Sequence, residues 1–432
     1  ISAEYKKRLL AREDEATACT VPDYGGIDFT QYPRLADDEN PMHRLWSDGS
    51  WLKAYLAHGC YWRQCAFCDV TLDYVRSYRM TNVRALYDGL CAQAKRTGVY
   101  GIHFVDEAAP PAALARFAQY SAQDGVPFSF WGNIRFEKTF TRDLTDFLAF
   151  AGLCGVSGGI EIAAQQGLAC VCKGTDMEHI VGACAAFKES GVLVHAYMIY
   201  GYWQETPELL ADSMETLRQL FAAGLLDSAF WHKFTLTRHS RVYAEWQAGG
   251  HPDLAPAEPS AREGCGLRPF AENTLSFAGE RASERYAGGL EAALAAWLHG
   301  RGLHKPVASW FSFPFPRPRI ARDYIGTLIA AYEKRRSGAF TEPYSKRYVY
   351  VWIGGKPFAA GKNRICWMYM GEMKSCVSEH AAETAAALWE LRPRAGADSA
   401  AQSRRYAPFL DERVFLSTRG CGLCRLKQSF MQ

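Results

Sequence analysis

The chemically richest residues of this chain are Cys60, Cys65 and Cys68, three thiols in the nine-residue run Cys60-Tyr-Trp-Arg-Gln-Cys65-Ala-Phe-Cys68. Three soft thiolates on one short loop can hold three corners of an iron–sulfur cube and leave the fourth iron open. An open iron implies chemistry, because a fully ligated cluster only stores or passes electrons. The same loop suits zinc if a fourth ligand comes from elsewhere, for example His58. Other polar groups recur where apolar runs end: Asp106 and Glu107, Asn133 and Arg135, Glu161 behind a glycine pair, and Gly201 with Gln204 and Glu205 beyond it.

Apolar periodicity and helix punctuation define the elements that must carry these groups. Trp51–Ala57 reads as a strand that feeds the cysteine loop. Further strands are predicted at Val99–Val105, Val126–Trp131, Leu153–Ile162, Val192–Tyr200 and Ala229–Leu236. Helices are predicted between them. One runs from Val83 to Arg96 and stops at Gly98, one lies near Pro111–Gln123, and one is capped by Thr141 and ended by Gly152. The next has a capping box of Thr175 and Glu178, and the last opens at Thr206-Pro207 and stops at Gly224. Six strand–helix units with short connections imply parallel strands and right-handed crossovers. Six are too few to close an eight-stranded barrel. The expectation is therefore an α/β fold, a partial (β/α)6 TIM-like barrel with a C-terminal α+β extension, whose ligands gather at the carboxyl ends of the strands.

The predicted organisation is a lead-in segment (1–50), the barrel (51–245), a loop-rich and helical extension (246–345) and an α+β region (346–432). Residues 246–275 read as a loop-rich connection, and Ala282–Leu298 and Ile320–Arg335 as helices. The aromatic stretch from Trp310 reads as extended and packed on the barrel. Arg347–Ile353 and Ile365–Met370 read as a strand pair, Glu379–Leu391 as a helix and 394–405 as a polar linker.

The chain has 432 residues, 48% hydrophobic and 22% charged, which describes a globular protein. A net charge of +3 gives no strong nucleic-acid footprint. No apolar run approaches the roughly 18–20 residues that span a bilayer, and the first twenty residues are charged rather than signal-like. Fourteen cysteines, several close together, point to a reducing cytoplasm. The start at Ile1 suggests a trimmed or processed chain with something upstream.

Four segments in register, the cysteine triplet, Phe104-Val-Asp-Glu107, Gly159-Ile-Glu161 and Met198-Ile-Tyr-Gly201, resemble the radical S-adenosylmethionine enzyme superfamily, in particular the branch whose members often carry a cobalamin-binding domain. The resemblance covers residues 44–245. The cysteine spacing departs from it, with four residues and then two where the family commonly has three and then two. The resemblance implies that Cys60, Cys65 and Cys68 bind a 4Fe-4S cluster whose fourth iron is chelated by S-adenosylmethionine. One electron then releases a 5′-deoxyadenosyl radical that functionalises an unreactive carbon. It implies that Phe67 packs on the adenine, that Asp106 and Glu107 accept from the methionyl ammonium, and that Glu161 reaches the ribose hydroxyls. Asn133 and Arg135 close the third strand, where Arg135 pairs with the methionyl carboxylate, and Ile199 and Gly201 flank the adenine. Simpler readings stand beside these: core packing for Phe67, a helix cap for Asp106 or Glu107, a salt bridge for Glu161 and a surface ion pair for Arg135. The resemblance favours cobalamin and methyl transfer, yet the chain has no Asp-x-His-x-x-Gly motif. A cobalamin domain would lie upstream of Ile1, on a partner, or be replaced by another binding mode.

Cys154, Cys170, Cys172 and Cys184 read as small buried hydrophobes. Cys421 and Cys424, with Cys366 and Cys376, form a candidate auxiliary cluster or zinc site, against ordinary thiols as the default. His195, His232 and His239 are second-rank catalytic candidates, and Tyr61 and Trp62 are candidate lining residues. The expected partners are a small-molecule or peptide substrate and an electron donor such as flavodoxin or ferredoxin. The competing reading is a noncatalytic zinc- or iron–sulfur-binding module on a barrel scaffold.

Overall fold

A strand–helix alternation that returns the chain to the same sheet edge each time yields parallel neighbours in chain order. The computed structural model has this arrangement; it describes residues 2–31, 51–257, 273–336, 348–369, 371–394 and 398–430. Strands β1 (Trp51–Ala54), β2 (Gly101–Phe104), β3 (Ser129–Ile134), β4 (Leu153–Glu161), β5 (Leu193–Tyr200) and β6 (Ser228–Lys233) form one six-stranded sheet. Each pairs in parallel with the next. No pairing between β1 and β6 occurs among the described residues, so the barrel is partial, as predicted. Five crossover helices cover its outside: α1 (Val83–Thr97), α2 (Pro111–Gln123), α3 (Arg142–Phe150), α4 (Met177–Glu189) and α5 (Pro207–Ala222).

Alternation along the strands sorts the two faces. Leu52, Ala54, Ile102, Phe104, Phe130, Val194, Ala196 and Met198 belong to the buried core shared with the helices. Lys53, His103, Trp131, Asn133, His195 and Tyr197 therefore face the lumen.

Caps agree with the sequence where a side chain is free to cap. Asn82 accepts from the amides of Arg84 and Ala85 at the start of α1, and Thr141 and Thr206 cap α3 and α5. The predicted capping box of α4 does not form. The Thr175 hydroxyl donates instead to the Phe136 carbonyl at 3.1 Å, and Asp176 caps the helix through the His179 amide at 2.8 Å.

Three strand boundaries are also corrected. β1 ends at Ala54, because the amides of Leu56 and Ala57 turn toward Asp106; Ala57–His58 then pairs with Arg79–Met80. β3 begins at Ser129 and continues through Ile134, since Val126 (φ 59°) belongs to the preceding turn. β6 ends at Lys233, and Leu236–Thr237 joins Thr274–Phe277, itself paired with Pro256–Ala257, in a separate sheet. A helix that the sequence reading missed, Gln165–Cys170, follows β4.

Beyond the barrel, a 3-10 turn over Glu280–Tyr286 leads into the helix Ala287–Leu298. Trp310, Phe311 and Phe315 pack against the barrel core as predicted, with the Phe311 and Phe315 rings stacked at 4.0 Å. The predicted pairing of the two C-terminal strands is wrong. Tyr348–Trp352 pairs with Leu423–Lys427, and Arg364–Tyr369 forms a hairpin with Glu372–Val377. A short adjacent turn makes the hairpin, and the long-range pairing buries Val349, Val351, Cys424 and Leu426 in the barrel core. The predicted linker at 394–405 contains instead the helix Ser399–Tyr406, capped by Asp398. Arg419 ties this region to α3 through a buried ion pair with Asp146 at 2.6 Å, and Asp146 also pairs with Arg142 of the same helix at 2.7 Å. Residues 32–50, 258–272, 337–347, 370 and 395–397 lie outside the described residues, and with them parts of the lead-in, connection, strand and linker assignments.

Candidate metal and cofactor site

The cysteine loop leaves the carboxyl end of β1 and is strapped to the barrel by backbone hydrogen bonds. The Ala66 amide donates to the Val171 carbonyl (2.9 Å), Val242 to Ala66 (2.8 Å), Arg241 to Cys68 (3.1 Å) and Cys60 to Val75 (3.2 Å). Gly59 (φ 74°) is needed at the turn, where a Cβ would come within 2.8 Å of the Ser77 carbonyl. Cys65 is buried, while Cys60 and Cys68 are half-buried.

Cys65 and Cys68 lie in contact. A hydrogen bond from the Cys68 thiol, together with the Lys173 and Arg135 cations, lowers the Cys65 thiol to about 6 against the effect of burial. Cys68, as the donor in a buried pair, is pushed up. Cys60 lies instead beside Tyr61 and Tyr78. Among the described residues no three His, Cys, Asp or Glu side chains converge as a ready metal-ligand group. The loop must bring Cys60 in for the triplet to act together.

Beneath Cys65 lies a buried cationic layer. Arg135 approaches the Cys65 sulfur at 4.0 Å through Nη1, donates to the Lys173 carbonyl at 2.7 Å through Nη2, and covers the Trp62 ring at 4.6 Å. Its Nε is buried and has no partner among the described residues. Arg135 is thus no surface ion-pair residue. Lys173, absent from the sequence reading, is 5% exposed, pairs with Glu161 at 2.6 Å and lies 5.9 Å from the Phe67 ring centre. A cation in the otherwise apolar run that follows Gly167 was the available signal. The Glu161 carboxylate is engaged in the salt bridge that was the simpler reading for it. Gly159 makes room for that pair, since a Cβ there would overlap the Glu161 carboxylate.

Asp106 is engaged within the protein: its carboxylate accepts from the amides of Leu56 (3.0 Å) and Ala57 (2.8 Å), which fixes the exit of the cysteine loop. Burial pushes its carboxyl up to about 7 against those amides. Asp106→Ala leaves two buried amides without acceptors. The expected loss is about 2–4 kcal/mol in denaturant unfolding, with Asp106→Asn losing less because its amide oxygen still accepts. Glu107, one residue on, is exposed near His58. Asn133 donates to the Asp106 carbonyl at 3.2 Å and accepts from the Ser157 hydroxyl, which places it in the lumen wall.

Ile199 packs beside Phe67 and Ala66 in one apolar cluster. The Gly201 amide (φ 78°) donates to the Glu205 carboxyl at 2.6 Å. Burial raises the Glu205 carboxyl to about 8, and the Gly201 amide opposes the shift. A carboxyl raised on folding binds more protons in the native state, so this group costs stability progressively as pH rises from about 4.5 to about 8. Glu205→Gln keeps an acceptor for Gly201. Its melting temperature should match the wild type near pH 4 and exceed it by a few degrees at pH 9.

Tyr61 donates to Glu137 at 2.6 Å, and the Trp62 indole donates to the Cys172 carbonyl at 3.0 Å, so both brace the loop. His195 is buried against the Ser228 hydroxyl at 2.6 Å, a structural histidine. His239 lies 3.2 Å from the Thr71 hydroxyl, and His232 is exposed in the lumen. Of the four cysteines read as small buried hydrophobes only Cys184 is buried; Cys154, Cys170 and Cys172 are half-buried, and the Cys170 thiol donates to the Gln204 side chain at 3.2 Å. The four-thiol auxiliary site is not assembled. Cys366 pairs with Ser375 and Cys376 with Ile365, which puts the two sulfurs on opposite faces of the hairpin. Cys424 is sealed in the core, and the Cys421 thiol bonds the Ser417 carbonyl at 3.0 Å.

No family model matches the chain. An anaerobic magnesium-protoporphyrin IX monomethyl ester cyclase of Rubrivivax gelatinosus is 26% identical over 232 residues, 52% of this chain and 38% of that protein. The chain thus spans well under half the length of that curated relative. Among solved structures, the radical S-adenosylmethionine methyltransferase TsrM from Kitasatospora setae, with cobalamin and a 4Fe-4S cluster bound, aligns at TM-score 0.46 and 16% identity, covering 68% of this chain and 62% of that one. The cobalamin-dependent S-adenosylmethionine radical enzyme OxsB aligns at 0.44 and 15%, covering 66% and 46%. HemN of Escherichia coli, a radical SAM enzyme, aligns at 0.35 and 16%, covering 55% of each chain. Each of these proteins is similar to this chain over only part of its length.

Proposed function

We propose that this chain is the catalytic barrel of a radical S-adenosylmethionine enzyme. The observation that carries the reading is the Cys65–Cys68 pair set over Arg135 and Lys173 at the carboxyl end of an open parallel barrel. Thiolate ligation needs a deprotonated sulfur and compensating charge, and both conditions are met at Cys65. The orphaned Arg135 Nε is a buried donor suited to a carboxylate such as that of a methionyl group.

Cys60, Cys65 and Cys68 would hold the 4Fe-4S cluster. When bound, the cluster supplies the electron that cleaves S-adenosylmethionine to a radical able to attack an unactivated carbon. The chain's own residues bind and orient. Phe67 and Ile199 offer apolar faces to the adenine, Gly201 offers backbone beside it, and Glu161 offers acceptors to ribose hydroxyls. Arg135 meets the methionyl carboxylate, and Glu107 and Asn133 stand nearest for the ammonium. Arg135, Lys173 and the Trp62 indole also exclude water from the inner side of Cys65. Cobalamin-linked methyl transfer is the finer reading, favoured by the two relatives named for cobalamin. The cobalamin would then come from outside these residues, and electrons from a flavodoxin- or ferredoxin-type donor.

The test is anaerobic reconstitution and reduction with S-adenosylmethionine present. About four irons and four sulfides per chain with 5′-deoxyadenosine as product support the proposal, and S-adenosylhomocysteine adds methyl transfer. Zinc alone, or a full cluster giving neither product, returns the protein to the binding-module reading.

A further inference from the structure

A cavity of about 280 Å³ opens between the loop that follows β5 and residues 277–286 beyond the barrel. Its mouth is formed by Thr206, Pro207, Ala278, Gly279 and Ala282, all of them exposed, so solvent reaches it freely. Glu205 and Trp203, both half-buried, stand in its wall. One oxygen of the Glu205 carboxyl, Oε2, accepts from the Gly201 amide at 2.6 Å, and the Glu205 amide donates to the Tyr202 carbonyl at 2.9 Å. The residue is therefore held at both its backbone and its side chain. Its other carboxyl oxygen, Oε1, has no partner among the described residues and is not sealed from solvent.

A carboxyl withdrawn from water normally meets a cation or several N–H donors. Glu205 has a single N–H. Burial raises its carboxyl to about 8 and the Gly201 amide alone opposes the shift, so no cation among the described residues answers its charge. Lys233, which passes beside Gly201, is already paired with Glu280 at 3.1 Å and Glu284 at 3.0 Å. A fixed carboxyl with one open oxygen, next to an aromatic wall in a small open cavity, has the parts that take an ammonium group. The carboxylate accepts a charge-assisted hydrogen bond, and the indole favours a cation or its alkyl chain. The volume lies below the ~300–1,000 Å³ of pockets for drug-sized molecules, so the ligand is small.

We propose that this cavity is a binding site for a small primary ammonium, with Glu205 Oε1 as its acceptor and Trp203 as the wall beside its alkyl chain. The same carboxylate turns anions away. Gly201, placed beside the adenine above, is bonded to the other oxygen of this carboxyl, so the site lies one hydrogen bond from the candidate cofactor end. As a binding site it does not rest on the radical-enzyme reading.

The experiment is a calorimetric titration of the full chain, before cluster loading, with butylammonium chloride and with the neutral, similarly shaped butan-1-ol at matched ionic strength. At pH 9 the Glu205 carboxyl is ionised and a primary ammonium keeps its proton. The expected result is at least about tenfold tighter binding of the ammonium. That preference is lost in Glu205→Gln, which keeps an acceptor for the Gly201 amide, and is kept in Glu208→Gln, an exposed acid of the same loop. Ala282→Phe, at the exposed rim, fills the mouth and abolishes binding of both probes. Equal binding of ammonium and alcohol, an unchanged preference in Glu205→Gln, or undiminished binding in Ala282→Phe overturns the proposal. None of these results involves iron or S-adenosylmethionine, so failure here is separate from failure of the cofactor reading.

Discussion

Cys65→Ala, reconstituted in parallel with the wild type, is expected to lose most of its iron and sulfide and to lower 5′-deoxyadenosine formation by at least about 100-fold. Among the three thiols, Cys65 is the one placed against cations and already shifted toward the thiolate. Its removal takes away a ligand and also leaves Arg135 and Lys173 facing a gap, with Cys68 deprived of its hydrogen-bond acceptor. Cys68→Ala should lose the cluster as well, and it also raises the Cys65 thiol by removing the hydrogen bond that does most to lower it. Cys19→Ala, on an exposed helix, should load iron normally. A Cys65→Ala protein that retains full iron and sulfide would remove the triplet from the site.

The second large effect is expected at Lys173. Its ammonium and the Glu161 carboxylate are both nearly sealed from water, with side-chain exposures of 6% and 11%. Lys173→Met leaves a buried carboxylate without its cation, which should cost about 3–5 kcal/mol in denaturant unfolding. Glu161→Gln in the same chain removes the stranded charge and should restore most of that loss, so the double-mutant cycle reports a strong coupling. A single substitution costing under about 1 kcal/mol would mean that water or a rearranged Arg135 compensates. Lys173→Met should also weaken iron loading, because one of the cations that lower the Cys65 thiol is gone.

The sequence made the barrel legible because its signals are local. Apolar alternation, Gly98, Gly152 and Gly224 at helix ends, and Pro207 in a first helical turn each act within a few residues. The C-terminal pairing was misread because nothing near Tyr348 specifies Lys427, more than seventy residues away, as its neighbour. The site divided in the same manner. The cysteine triplet, Glu161 and Arg135 announce themselves by type and spacing. Lys173 acts through a tertiary contact that no spacing encodes, and Asp106 spends its carboxylate on amides that only the folded loop presents.

One irregularity of β4 has consequences for how this chain can change over evolutionary time. The ladder between β4 and β5 slips between Gly159 and Glu161, so that Gly159 faces Tyr197 while Glu161 is opposite Met198, a residue of the outer core. Glu161 also holds φ 66°, a conformation few side chains other than glycine adopt. The strand therefore works as a phase shifter: a carboxylate at an outward ladder position is delivered to the inner side by one surplus residue. Insertions in the loops around the barrel leave that phase untouched. Loss of one residue from Gly158 to Ile160 would reset it, sending the carboxylate into the apolar helix layer and stranding Lys173. The length of this short stretch is thus constrained as firmly as its two glycines.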